Sequence, residues 1–199
     1  MKIIGLTGGI GSGKSAATHY LSELGAEVLD LDKVGHSVLK IGGSAYKKAV
    51  REFGDMILDK DREINRTKLG NLVFNNPSAL GLLNNITHPE IDKIVEKKIK
   101  DFKNRGIKVV VLEAAAMLDA DRAWQVDEIW VITASENAAT ERIKDRPGYS
   151  LDTAKSRIRA QMTNEERIKH ARVVISNDGT LNELKAKIKI EWDKLSKRL

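Results

Sequence analysis

Residues 8–15 form the segment whose residue types and spacing are most typical of a ligand-binding or catalytic site. They read Gly-Gly-Ile-Gly-Ser-Gly-Lys-Ser and fit G-x-x-x-x-G-K-[ST], the phosphate-binding P-loop. Glycines let the backbone curve so that successive N–H groups surround a phosphate, and a following helix adds the positive end of its dipole. We therefore expect nucleotide contacts from Gly11, Ser12, Gly13, Lys14, Ser15 and Ala16.

The two last positions of this motif predict specific roles. Lys14 is a mobile cation that can reach the β- and γ-phosphates of ATP, and the Ser15 hydroxyl can ligate Mg²⁺. An ordinary glycine-rich turn is the alternative. A strand-like segment precedes the motif and apolar residues at helical spacing follow it, which is the order that a P-loop requires.

Carboxylates would complete such a site. Asp30 and Asp32 end a predicted second strand, and ligands of α/β sheets bind at the carboxyl ends of strands. On a strand, positions i and i+2 project to the same side, so one acid could act as base or Mg²⁺ anchor and the other orient it. The spacing does not decide which acid does which, and a solvated acidic turn is the alternative. Glu113 follows an apolar run and is placed like a carboxylate that supports Mg²⁺ through water.

The strands and helices expected around these residues indicate an α/β protein with a P-loop NTPase fold. Strand-like runs alternate with helical periodicity and predict five parallel strands flanked by helices. The runs are 2–7, 26–32, 107–113, 127–132 and 172–175.

The remaining segments predict an insert and a lid. We expect a nucleotide-binding core from residues 1–32, 106–135 and 171–199, a helical acceptor-binding region at 33–105, and a helical lid at 136–170. The helices expected in the insert are 34–39, 44–53, 67–74, 77–86 and 89–103.

Charged residues in these two regions are candidates for phosphate contacts. By analogy with P-loop kinases, Arg142 and Arg146 of the lid would close over the phosphates, with a solvated helical hairpin as the alternative. Arg66 could meet phosphates of the acceptor. From spacing alone His88 is a structural residue, because Thr87 or His88 could cap a helix whose first turn contains Pro89.

Composition narrows the class of protein. The 199 residues include no cysteine, which excludes disulfides and thiolate metal sites. We expect no signal segment, because the first residues lack a charged-then-apolar pattern, and no apolar run approaches the roughly 20 residues of a membrane span. We expect a cytoplasmic protein without a membrane partner, for which a monomer is one compatible state. The net charge of +6 is compatible with nucleic acid and equally with polyanionic small molecules. Because the lysines are mixed with acids and only 5% of residues are aromatic, we expect no nucleic acid partner.

Among P-loop proteins these features favour a small-molecule kinase. A GTPase should carry the guanine-reading motif Asn-Lys-x-Asp, which the sequence lacks. A nucleic acid or assembly motor normally needs a longer chain.

The ordered set of motifs resembles the dephospho-CoA kinase family over nearly the whole chain. The opening segment 4–15 is close to the family's own, and Leu-Asp-Leu-Asp at 29–32 looks like its Asp-Ala-Asp segment. Further similarities are Ile64-Asn65-Arg66, Ile86-Thr87-His88-Pro89, Gln161 and Ile175-Ser176-Asn177-Asp178-Gly179. Three features depart from the family. Ala16 replaces the usual Thr after the P-loop Ser, which leaves the backbone N–H contact intact. Glu113 replaces its usual Asp, and residues 115–119, Ala-Ala-Met-Leu-Asp, look more like the kinase half of bifunctional CoA synthase.

The resemblance implies transfer of the γ-phosphoryl group of ATP to the ribose 3′-hydroxyl of dephospho-CoA, with ATP and Mg²⁺ as cofactors. The resemblance assigns Asp32 as the base, with Asp30 beside it. It also implies catalytic roles for Lys14, Arg142 and Arg146. The residues implied for the acceptor are Thr7, Asp30, Asp32, Arg66 and His88, and Asn177 is implied for the nucleotide. Another P-loop nucleoside or nucleotide kinase is the alternative.

Overall fold

The structure is a computed structural model of the 199-residue chain, and it describes residues 1–74, 76–118, 126–144, 146–148 and 150–199. Residue 119, the last of the departing run 115–119, lies outside these ranges. The described part of the chain forms two compact units. The sheet unit comprises Met1–Asp30 and Phe102–Leu199, and the helical unit comprises Leu31–Asp101.

Five parallel strands form one sheet in the described part of the sheet unit, which confirms the predicted sheet. They are β1 Lys2–Gly8, β2 Glu27–Asp30, β3 Val109–Glu113, β4 Glu128–Thr133 and β5 Val173–Ser176. Their order is β2-β3-β1-β4-β5, so the strand that leads into the P-loop is central. Central parallel strands are covered on both faces, which explains their continuous apolar sequences.

Helices connect the strands and make up most of the helical unit. In chain order the described helices are α1 Lys14–Glu23, α2 Leu31–Val38, α3 Tyr46–Phe53, α4 Arg66–Phe74, α5 Pro77–Asn104, α6 Glu136–Ile143, α7 Leu151–Arg159, α8 Asn164–Ile168 and α9 Leu181–Ser196. A single 3-10 turn, Asp55–Ile57, follows α3. No helix of the described residues has the length and apolar character needed to cross a membrane.

The main core lies between the sheet and helices α1 and α9. Its fully buried members come from both helices and from β1, β3 and β4, and each such large apolar side chain contributes about 1.5–3 kcal/mol. They include Ile4, Leu6, Leu21, Val111, Trp130, Ile132 and Ile188. This packing fixes β1 and α1, the two elements that flank the P-loop.

The second strand is shorter than predicted, and this corrects the expected geometry of the acid pair. β2 ends at Asp30, and α2 begins at Leu31, so Asp32 lies in the first turn of a helix. The argument that Asp30 and Asp32 share one side of a strand is therefore wrong. An acidic residue in the first helical turn is favourable, because it faces the positive end of the helix dipole.

The helical unit also corrects one expected boundary. The predicted helices 77–86 and 89–103 are one continuous helix, α5, with Pro89 inside it. The Thr87 hydroxyl donates to the Leu83 carbonyl oxygen at 2.9 Å, one turn earlier, so neither Thr87 nor His88 caps a helix start. A separate apolar core, made of Ala49, Phe53, Ile57, Leu58, Ile64, Leu69, Val73 and Ala79, stabilises this unit.

Candidate functional site

The P-loop connects β1 to α1 by a tight curve with two residues in the left-handed region. Gly11 and Gly13 have φ values of +75° and +97°. A Cβ on Gly11 would lie 2.6 Å from the Ala139 carbonyl oxygen, and a Cβ on Gly13 would overlap the side-chain amide of Asn177. The loop therefore needs glycine at both positions, for backbone conformation and for space.

A cavity of about 460 Å³ opens on this loop. It is bounded by the P-loop and the start of α1 on one side, and by α6 and the loop after β5 on the other. Its lining includes Gly9, Ile10, Gly11, Gly13, Lys14, Ser15, Ala16, Arg142, Arg146, Asn177, Gly179 and Leu181. The backbone N–H groups, two arginines and a lysine are donors that suit the phosphates of a nucleotide, and the apolar leucine suits its base.

Asn177 and Arg142 contact the P-loop directly. The buried Asn177 amide donates to the Ser12 carbonyl oxygen at 2.8 Å. The Arg142 guanidinium donates to the Gly11 carbonyl oxygen at 3.2 Å and to Asn177 Oδ1 and the Gly179 carbonyl oxygen, both at 3.4 Å. The structure thus brings these two predicted residues together with the phosphate loop, while Arg146 lines the same cavity from the turn after α6.

The loop after β5 is also attached to the start of α6. Asp178 Oδ1 accepts a hydrogen bond of 2.6 Å from the backbone N–H of Ser135, the residue that caps α6. This bond, with a second one from the Ser135 side chain, lowers the pKa of Asp178. An ionised Asp178 therefore keeps the loop that carries Asn177 next to the helix that carries Arg142.

Carboxylates from two strands lie at the carboxyl ends of these strands, on the same side of the molecule's sheet as the P-loop. Asp30 of β2 is paired in register with Glu113 of β3, and Glu113 is paired with Leu6 of β1. Both carboxylates are half-buried. Thr7 follows Leu6, is fully buried, and donates its hydroxyl to the Ala115 carbonyl oxygen at 3.2 Å. Parallel register thus puts two acids at the sheet edge where the P-loop begins.

Oxygen atoms of side chains in the sheet unit are of the kind that can ligate Mg²⁺. Hydroxyl and carboxylate oxygens, here Ser15, Asp30 and Glu113, are hard ligands of the kind that Mg²⁺ prefers. The described residues contain no group of three or more His, Cys, Asp and Glu that could bind a metal alone.

The remaining predicted residues belong to the helical unit. Asp32 is exposed in the first turn of α2, Arg66 is the first residue of α4, and His88 is half-buried in the middle of α5. Arg66 lines a cavity of about 440 Å³ within this unit. Its lining combines three cations and one acid with polar and apolar side chains: Lys33, Lys40, Arg66, Glu63, His36, Ser37, Leu39, Ile64 and Leu69. Cations beside apolar side chains suit a ligand that carries phosphates and an aliphatic or aromatic part.

Comparison with known proteins decides the family. A family model described as dephospho-CoA kinase matches residues 2–183. A protein of Carboxydothermus hydrogenoformans named dephospho-CoA kinase is 43% identical over 203 residues, which cover 100% of this chain and 98% of the relative.

The chain belongs to the dephospho-CoA kinase family. It is accordingly an ATP-dependent kinase.

Solved structures agree with this family and with the fold. The dephospho-CoA kinase from Campylobacter jejuni superimposes with a TM-score of 0.71 at 27% identity, covering 99% of this chain and 98% of the other. A protein from Thermus thermophilus gives a TM-score of 0.82 at 29% identity, covering 98% of this chain and 97% of the other. The dephospho-CoA kinase fold therefore extends over both units of the chain.

Two residues at the P-loop were not assigned a role from the sequence. The Gln161 side-chain oxygen accepts a hydrogen bond of 2.8 Å from the Ile10 N–H. Arg167 is 4% exposed, and its Nη1 would lie 3.5 Å from a Cβ on Gly9. The resemblance to dephospho-CoA kinases marked Gln161 as a similarity only. No spacing rule connects position 161 to position 10, so only the fold reveals this contact.

Proposed function

We propose that this kinase transfers the γ-phosphoryl group of ATP to the ribose 3′-hydroxyl of dephospho-CoA, giving ADP and CoA in the last step of CoA biosynthesis. The observation that carries the proposal is the 43% identity, over the whole chain, to a relative named for this activity. The P-loop cavity supports it, since its lining offers contacts to both the phosphates and the base of a nucleotide. We place the reaction in the cytoplasm, with no nucleic acid or membrane partner.

In this proposal the sheet unit binds ATP. The backbone N–H groups of residues 11–16 bind the phosphates, and Lys14 stabilises the charge that develops on the bridging and γ-phosphate oxygens. Ser15 would ligate Mg²⁺, with Glu113 supporting it through water, and the ion would neutralise phosphate charge. Asn177 shapes the nucleotide site from the loop after β5, because its amide donates to the Ser12 carbonyl oxygen.

Arg142 and Arg146 would stabilise the transferring group. Both line the nucleotide cavity, and Arg142 already contacts the P-loop at Gly11. Guanidinium groups in this position offset charge on the phosphate oxygens, and the helices that carry them would exclude water from the site.

The acceptor would be bound and activated by the other predicted residues. Asp32 takes the proton of the 3′-hydroxyl while the oxygen of that hydroxyl forms a bond to the γ-phosphorus. The bond from that phosphorus to the β–γ bridging oxygen breaks. Asp30, two residues earlier in the chain, is the second carboxylate that the resemblance implies for the acceptor. Thr7, Arg66 and His88 contact the acceptor, and the cationic cavity beside Arg66 supports a phosphate-bearing ligand.

The test is a side-by-side comparison of acceptors. Dephospho-CoA, adenosine, AMP and shikimate are each offered with ATP and Mg²⁺, and the products are identified by mass and by 31P NMR. We expect kcat/KM for dephospho-CoA to exceed that for every other acceptor by at least about 10²-fold, because buried polar groups reject acceptors that leave them unpaired. A higher kcat/KM for a nucleoside or nucleotide would replace this proposal with the alternative kinase.

A further inference from the structure

We infer that Gln161 is a positioning residue that sets the ATP-binding conformation of the P-loop. The inference rests on the proposed function only in that the loop binds a nucleotide. Gln161 does not touch substrate in this assignment; it acts through the Ile10 peptide group.

The contact is a hydrogen bond across a long sequence separation. Gln161 lies between α7 and α8 and is half-buried, and its Oε1 accepts from the Ile10 N–H at 2.8 Å. The same oxygen would be 3.5 Å from a Cβ on Gly9. The side chain therefore lies against the first turn of the P-loop, where two successive residues border it.

The hydrogen bond determines which amides of the loop can bind phosphate. An Ile10 N–H that donates to Gln161 is not available to a phosphate oxygen, so the phosphate-binding amides begin at Gly11. Without the acceptor, the Ile10 N–H would be left unsatisfied or would turn toward the nucleotide cavity, which Ile10 also lines. Gln161 thus favours one of two arrangements of the loop.

The segment that carries Gln161 is itself held in place within the sheet unit. The Asn164 amide donates to the Ala134 carbonyl oxygen at 2.8 Å, directly after β4. Thr163 and Glu166 form a reciprocal capping box at the start of α8. The buried Arg167 guanidinium donates to the Met162 carbonyl oxygen. A side chain on so constrained a segment can position its partner, because its own position is already determined.

Two segments of the predicted lid, residues 136–170, therefore contact the P-loop at adjacent residues. Arg142, in α6, donates to the Gly11 carbonyl oxygen at 3.2 Å, and Gln161, after α7, accepts from the Ile10 N–H. A displacement of either segment would change the conformation of the loop that binds phosphate. Gln161 therefore transmits the position of the segment after α7 to the nucleotide site.

Two substitutions remove the acceptor in different ways. Gln161→Met keeps the length but has no oxygen, and Gln161→Asn keeps the amide but is one methylene too short. We expect ADP to bind each variant about tenfold more weakly, the effect of losing one hydrogen bond to a partly buried donor. The KM for ATP should rise with it, whereas the KM for dephospho-CoA should not change. Ser156→Met, at an exposed position of α7, is the control and should match the wild type.

Hydrogen–deuterium exchange gives a readout that does not depend on activity. We expect the peptide containing Ile10 to exchange faster in both Gln161 variants, with unchanged exchange in α9. A merely structural role would lower the melting temperature and the kcat of the variants while leaving their affinity for ADP unchanged. Wild-type ADP affinity in either folded variant would overturn the inference. Failure of the wild-type protein to bind ADP would instead overturn the proposed function.

Discussion

Gly13 and Lys14 illustrate what single residues contribute to the site. Gly13 adopts a φ of +97° and leaves the space that the Asn177 amide occupies, and Lys14 begins α1 at the edge of the nucleotide cavity. These requirements are local, because they concern the backbone of one loop and the helix that follows it. The P-loop could for this reason be predicted from the sequence, and five of its six residues expected to contact the nucleotide line the cavity, whereas the buried Ser12 does not.

Replacement of Lys14 tests the electrostatic part of the account. We expect Lys14→Met to lower kcat/KM by at least about 10²-fold, since it removes a cation that stabilises charge in the transition state. The measurement is a steady-state assay with dephospho-CoA as acceptor. Lys197→Met, at the exposed end of α9, loses the same charge away from the cavity and should retain activity. Undiminished turnover of Lys14→Met would contradict the role given to the P-loop lysine.

Other residues of the site could not be predicted because their partners are distant in sequence. Gln161 contacts Ile10, and Asp178 contacts Ser135, across separations of 151 and 43 residues. Sequence patterns report neighbours at helical or strand spacing, and these pairs meet only when β1, β4 and β5 align in the sheet. The same limit applies to the buried Arg167, which looks like an ordinary solvated arginine in the sequence.

At the scale of elements, apolar runs predicted the strands well and helix boundaries less well. The runs in β1, β3 and β4 are unmistakable because parallel strands are buried on both faces. β2 is an edge strand whose residues are all half-buried, so its end at Asp30 has no hydrophobic signal. The continuity of α5 through Pro89 cannot be predicted from the sequence, because proline usually ends a helix.

Helices α3 and α5 of the helical unit are joined by a titratable contact. The Glu90 carboxylate of α5 accepts from Lys48 of α3 at 3.0 Å and from Lys93 at 3.2 Å. Hydrogen bonds from these two lysines, the Lys48 bond first, lower the pKa of Glu90 from 4.5 to about 2. Because this pKa is lower in the folded protein than in the unfolded chain, the contact stabilises the fold above pH 4.5 and ceases to do so as pH falls toward 2.

We therefore expect Glu90→Gln to melt at a lower temperature than the wild type at neutral pH, with the difference shrinking as pH falls from 4.5 toward 2. Thermal unfolding followed by circular dichroism from pH 7 downward provides the check. Glu96→Gln, on an exposed position of the same helix, serves as the matched control. A difference in melting temperature that stayed constant with pH would show that the ionisation of Glu90 does not act in this way.

For the whole molecule, the two compact units divide the proposed chemistry. The sheet unit contains the P-loop cavity, and the helical unit contains the cavity lined by Arg66. The net charge of +6 is consistent with two polyanionic substrates, ATP and a CoA precursor. Net charge alone does not distinguish this use of positive charge from nucleic acid binding, whereas the placement of lysines and arginines around two cavities favours small molecules.

This division predicts separable effects on the two substrates. We expect Arg66→Met to raise the KM for dephospho-CoA about tenfold without changing the KM for ATP, because a charge-assisted contact to the acceptor is lost. Arg51→Met, at an exposed position of α3 in the same unit, controls for the loss of positive charge. Equal increases in both KM values would argue against acceptor binding by Arg66.

The most direct test of the account is the single-turnover rate of phosphoryl transfer from saturating ATP to dephospho-CoA in Asp32→Asn. Asparagine keeps the shape of the side chain and removes the base. We predict a rate at least about 10²-fold below that of the wild type, with unchanged affinity for ATP. A rate near that of the wild type would contradict the assignment of Asp32 as the group that accepts the proton of the 3′-hydroxyl.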